Sequence, residues 1–157
     1  MKPDAKERLA FLVRVVEKEI RHLRYSEAQV FDQPITAERM STLNTDEPLA
    51  EKVEAYSSRF CRLQDTLGDK LLPAWLNALG ERTGAAIDNL DKAEKLGLLA
   101  SADEWMMIRQ IRNQMVHEYI EAPEILANAL QTAQKYQQTL LNFANALETD
   151  LRNRKLR

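Results

Sequence analysis

Apolar residues spaced three and four apart, over stretches far longer than a strand, constrain this chain more than any other feature. From Asp4 onward Leu9, Leu12, Val13, Val16, Ile20 and Leu23 recur in that rhythm, which lays one apolar stripe along an α-helix. The rhythm returns in Leu49, Val53, Tyr56, Phe60, Leu63, Leu67 and Leu71. It returns again in Ile125, Leu126, Ala129, Leu130, Ala133, Tyr136, Leu140, Phe143, Ala144 and Leu147. No segment alternates apolar and polar residues as a half-buried strand would, and no repeat or low-complexity linker interrupts the chain. Four glycines and five prolines among 157 residues leave few places to turn, so the helices are long and the connections short. The expectation is one all-α domain over residues 1–157, an up-and-down helical bundle of four to five helices.

Punctuation residues divide the pattern. Pro34 ends the first helix, and "ITAERMSTLNTDEP" supplies at most one short helix and a turn before Pro48 opens the second helix in its first turn. Pro73 kinks or stops that helix, because proline lacks a backbone donor and its ring clashes with the preceding turn. A shorter helix spans Ala85 to Lys95 and is closed by Gly97 in the left-handed cap conformation. Ser101 and Glu104 have the form of a capping box, so a further helix starts there, burying Trp105, Ile108, Ile111, Met115 and Val116. Ala122-Pro123 separates it from the last long helix.

Composition removes several classes of function. Cys61 is the single cysteine, so neither a disulfide framework nor a cysteine metal site forms within one chain, and a reducing compartment fits best. The opening "MKPDAKERLAF" carries charges throughout, and no run reaches the ~18 apolar residues of a membrane span. No membrane partner and a cytoplasmic location are expected. A net charge of −2 means that any RNA contact is local. The basic clusters "EIRHLRY" and "RNRKLR" read as solvated helix ends, and His22 as a surface residue. There is no glycine-rich phosphate loop, no pair of histidines and no tight carboxylate set at ligand spacing, so no metal and no cofactor is expected.

The stretch "IRQIRNQMVHEYIEAPE", residues 108–124, is the one that carries chemistry. On a helix Arg109, Asn113 and His117 make one row and Arg112, Val116 and Tyr119 an adjacent one, bordering a single groove directed out of the bundle. His117 falls in the last turn, where the negative end of the helix dipole favours a cationic imidazole. An arginine and a histidine suffice to cleave RNA. The substrate's own 2′-hydroxyl is the nucleophile, histidine moves the protons, and arginine clamps the phosphoryl oxygens as charge grows on them. Arginine and histidine at this spacing also occur in helices as ordinary surface or structural residues, and spacing alone leaves both readings open.

The octet "RNQMVHEY" has the form Arg, four residues, His, one residue, Tyr, near the C-terminal part of a small all-α chain. In this it resembles the HEPN (higher eukaryotes and prokaryotes nucleotide-binding) superfamily, and within it the HepT branch, toxins encoded beside a minimal nucleotidyltransferase. The second helix, "YSSRFCRLQDTLGDKLLPAWL", resembles that branch in Phe60, Leu63, Gln64, Asp65 and Leu71. The resemblance implies the toxin of a type VII-like toxin–antitoxin pair. Such a toxin is a metal-independent endoribonuclease acting as a homodimer, with Arg112 and His117 of two protomers facing one another across a cleft. It further implies that the cognate nucleotidyltransferase antitoxin attaches AMP to Tyr119; the other role open to that phenol is to orient the arginine. Asn113 either holds a phosphate oxygen or caps a local backbone group. Asp65 either orients Arg112 or His117 through a charge-assisted hydrogen bond or is simply exposed. "FDQPITAERMSTLNTDEPLAE", residues 31–51, departs from the family pattern as an insert-like segment. A second class of function is a non-catalytic helical module that engages a nucleotidyltransferase or a nucleotide. Arg112 and His117 favour the nuclease; the acidic balance favours the module.

Overall fold

The first apolar stripe winds into α1, Pro3–Val30, which buries Leu9, Leu12, Val13, Val16 and Leu23 and leaves Ile20 at the edge of the core. The computed structural model describes residues 3–117 and 122–156. α1 ends just short of Pro34, and the Arg39 guanidinium closes the exit by donating to the Val30 and Gln33 carbonyls at 2.7 and 2.8 Å. That satisfies carbonyls the helix end would otherwise leave without partners. Arg39 belongs to a single turn, α2, Ala37–Met40, opened by the Thr36 hydroxyl. Ile35, Met40 and Leu43 are buried, α2 packs on the last helix, and Gln131 donates to the Ile35 carbonyl at 2.5 Å. The insert-like segment is therefore anchored to the core through these three side chains, while most of its other residues are exposed.

Asp46 accepts from the Leu49 amide at 3.1 Å and opens α3, Glu47–Asp65, with Pro48 in the first turn as expected. The helix does not stop at Pro73. It widens into a π-helical turn, Thr66–Leu71, and continues as α4, Leu72–Ala78. Within the wide turn the Leu72 amide reaches back five residues to the Leu67 carbonyl. The change of register just ahead of Pro73 lets the chain pass a residue that cannot donate. α5, Ala86–Lys95, ends in the expected left-handed cap: Gly97 has φ +81°, and the Leu98 amide bonds the Ala93 carbonyl at 3.0 Å.

The capping box at the start of α6, Ala102–His117, forms by half. Ser101 Oγ accepts from the Glu104 amide at 3.0 Å, but the Glu104 carboxylate accepts instead from the Thr139 hydroxyl at 3.1 Å. Glu94 of α5 takes the Ala102 amide at 2.7 Å. These bonds tie α6 to α5 and to α7, Pro123–Asn153.

The result is an all-helical bundle, with no strand among the described residues. α1 packs on α3, α6 packs on α7, and α3 touches all three. Trp75, Trp105, Tyr56, Phe60 and Phe143 are fully buried, each side chain of this size contributing about 1.5–3 kcal/mol. Two of them have their polar ends matched: Tyr56 donates to Gln137 at 2.9 Å and Trp75 to Asp150 at 2.7 Å. Val116 and Ile125, which spacing assigned to the buried stripes, are 45% and 39% exposed. Both sit at helix ends flanking the α6–α7 connection, where the adjacent Met115 and Leu126 take the buried positions. No helix among the described residues is long and apolar enough to cross a membrane.

Candidate functional site in the cleft between α3 and α6

Beside its apolar stripe, α3 and the π-helical turn carry a second row at four-residue spacing, Ser57, Cys61, Asp65 and Asp69. α6 meets that row with Arg109 and Arg112. Arg112 Nη1 donates to Asp65 Oδ1 at 2.5 Å, and Arg109 Nη2 to Asp69 Oδ2 at 3.3 Å. Two charged rungs thus cross from helix to helix at the edge of a cleft of about 710 Å³. Ser57, Cys61, Arg62, Lys70 and Val116 line it together with Arg112.

The hydrogen bond that it donates to Asp65 holds the Arg112 guanidinium above its ordinary pKa, opposed by partial burial and helped by the Asp65 charge. Both side chains remain about one-third exposed, at 33% and 35%, so the pair itself adds only ~0–1 kcal/mol of stability. Its consequence is orientation. Only Nη1 of Arg112 is engaged, and its other N–H groups have no hydrogen-bond partner among the described residues. A planar guanidinium held by one edge still presents donors to a phosphate.

The cleft wall is partly apolar and partly unsatisfied. Ser57 is 4% exposed, and its Oγ has no hydrogen-bond partner among the described residues. The Cys61 thiol is pushed up to about 11 by burial, with Arg112 opposing and Asp65 adding to the shift. A thiol in that range stays protonated at neutral pH, so Cys61 is wall rather than nucleophile.

Arg112 and Asp65 are brought together; Asn113 and His117 are not brought to them. Both are exposed, and neither lines the cleft. Five residues along a helix turn through about 140° and rise about 7.5 Å, so Arg112 and His117 point away from each other. The expected single outward groove is corrected accordingly: Asp65 draws Arg112 toward α3, while Asn113 and His117 face solvent. Tyr119 lies outside the described residues. Sequence reading did not single out Ser57, Arg62 or Lys70. The row of small and polar residues from Ser57 to Asp69, four apart within an amphipathic helix, is the signal that marks this wall.

Among the described residues no group of three or more His, Cys, Asp or Glu side chains is placed to hold a metal ion. Comparison of the chain with models of known protein families, with curated proteins and with solved structures finds no match.

Proposed function

We propose that this protein is a metal-independent endoribonuclease, the toxin of a type VII-like pair, which acts as a homodimer and is silenced when a minimal nucleotidyltransferase attaches AMP to Tyr119. The observation that carries the reading is the state of Arg112: the arginine of the RNQMVHEY octet sits at an open cleft, held along one edge by Asp65. His117 ends the same helix in solvent. Because the two diverge around the helix axis, a second protomer is needed to bring His117 of one chain to Arg112 of the other.

At such a shared site an imidazole removes the proton from a ribose 2′-hydroxyl. The 2′-oxygen attacks the adjacent phosphorus, the P–O5′ bond breaks, and the departing 5′-oxygen takes a proton. The products are a 2′,3′-cyclic phosphate and a 5′-hydroxyl. Arg112 stabilises the charge that grows on the non-bridging oxygens. AMP attached to Tyr119 adds a phosphodiester, an anion of the kind a guanidinium binds, and would compete with the substrate phosphate for Arg112.

The test is cleavage of single-stranded RNA by purified protein in the presence of chelator. Arg112→Ala and His117→Ala are each expected to slow it by about 10²–10⁴-fold while circular dichroism stays unchanged. Equal cleavage by wild type and both variants overturns the assignment. A second reading, a non-catalytic helical module that engages a nucleotidyltransferase or a nucleotide, is favoured by the absence of His117 from the cleft of a single chain. Binding without any cleavage supports it.

A further inference from the structure

A second groove, of about 460 Å³, runs between α1 and α3 and is lined by Val15, Lys18, Glu19, His22, Arg59 and Arg62. Arg62 also lines the α3–α6 cleft, so the two depressions meet across one exposed guanidinium. The groove is built rather than incidental: Arg59 donates to Ser26 Oγ at 2.6 Å and to the His22 carbonyl at 3.2 Å, fixing α1 against α3.

Charge on this face departs from that of the whole chain. In the α3–α6 cleft the carboxylates of Asp65 and Asp69 are engaged by Arg112 and Arg109. Lys18, Arg59, Arg62 and Lys70 form no ion pair among the described residues. Glu19 is the one carboxylate lining the α1–α3 groove. Burial raises its pKa, outweighing Thr66, Arg62 and Lys70, which pull it down. Glu54, at the α3–α6 cleft, is the remaining acid without an ion pair among the described residues. A chain of net charge −2 therefore gathers four cations along one path that starts at Arg112.

We propose that the α1–α3 groove continues the α3–α6 cleft and binds the sugar–phosphate backbone of a single-stranded RNA on one side of the phosphate held by Arg112. Lys18, Arg62 and Lys70 neutralise successive phosphates, and the exposed His22 ring offers a face to an unstacked base. The identity of the strand rests on the nuclease reading; the path rests on the two joined grooves.

Fluorescence anisotropy with a labelled, fully 2′-O-methylated single strand of about twelve nucleotides tests the path. That strand lacks the nucleophile, so binding is read separately from cleavage. Lys18→Glu and Arg62→Glu are each expected to raise Kd about tenfold at low salt and to reduce the slope of log K against log salt by about one. Lys95→Glu makes the same change of charge at the end of α5, outside both depressions, and is expected to stay within about twofold of wild type. Circular dichroism verifies that the variants are folded. Wild type that fails to bind overturns the proposal, as do groove variants no weaker than Lys95→Glu. The expected pattern in a protein that cuts no RNA keeps the path and overturns the nuclease. Cleavage with unaffected groove variants does the reverse.

Discussion

Glu19 carries a pH signature of its own. Its Oε1 is buried with no hydrogen-bond partner among the described residues. Burial raises the carboxyl above its ordinary 4.5, opposed by Thr66, Arg62 and Lys70 and aided by Asp65. A carboxyl with a raised pKa binds its proton more tightly in the folded chain than in the unfolded one. Its stabilising contribution is therefore complete below the unfolded value and is lost as pH rises through the folded value. Glu19→Gln removes the charge and keeps the shape. It is expected to raise Tm at neutral pH, with the gain shrinking as pH falls toward 4.5 and gone below it; thermal melts from neutral pH to below 4.5 check it. A gain that is the same at every pH refutes the role of charge.

At the scale of elements, Gly68 decides how closely α6 approaches the π-helical turn. A Cβ at this buried position would lie 3.2 Å from Trp105 Nε1. Trp105 is itself fixed edge-on against Phe143, with ring centroids 5.1 Å apart, so it has little room to yield. The same close approach sets Asp65 and Asp69 within reach of Arg112 and Arg109. In an ordinary helix alanine is better than glycine by about 0.8–1 kcal/mol, but overpacking a tight contact costs about 1–3 kcal/mol. Gly68→Ala is thus expected to destabilise the protein on balance and to impair RNA cleavage by shifting Arg112. Urea unfolding with an unchanged m-value and a lower midpoint is the expected record; a higher midpoint contradicts the packing argument.

For the whole molecule the question is which chain supplies which residue. If each site joins Arg112 of one protomer to His117 of the other, an Arg112→Ala chain and a His117→Ala chain fail separately and rescue one another. In the mixed dimer one site loses both residues and the other keeps both. Random reassortment then restores about one-quarter of wild-type activity, since half the dimers are mixed and each has one intact site. Light scattering should show twice the 18.1 kDa chain mass. A monomer with full activity, or a mixture that stays inactive although the chains exchange, rules out sharing across the interface.

Helix positions were legible in the sequence because each depends on local chemistry: Asp46 and Pro48 at the start of α3, Gly97 at the end of α5, and the stripe from Leu9 to Leu23 along α1. The candidate residues Arg112 and His117 were legible from the RNQMVHEY octet, and Asp65 from its place in helix two. Their mutual geometry was not. Arg112 and Asp65 are 47 positions apart in the chain, and Arg59 and Ser26 are 33 apart; no local period relates such pairs. The four-residue spacing that aligns Arg109, Asn113 and His117 does not say which neighbouring carboxylate captures Arg112. Periodicity settles which face of a helix is apolar, because burial follows from side-chain chemistry. Which polar side chains meet depends on how close two helices come, and here that was decided by a glycine in a π-helical turn packed against a tryptophan.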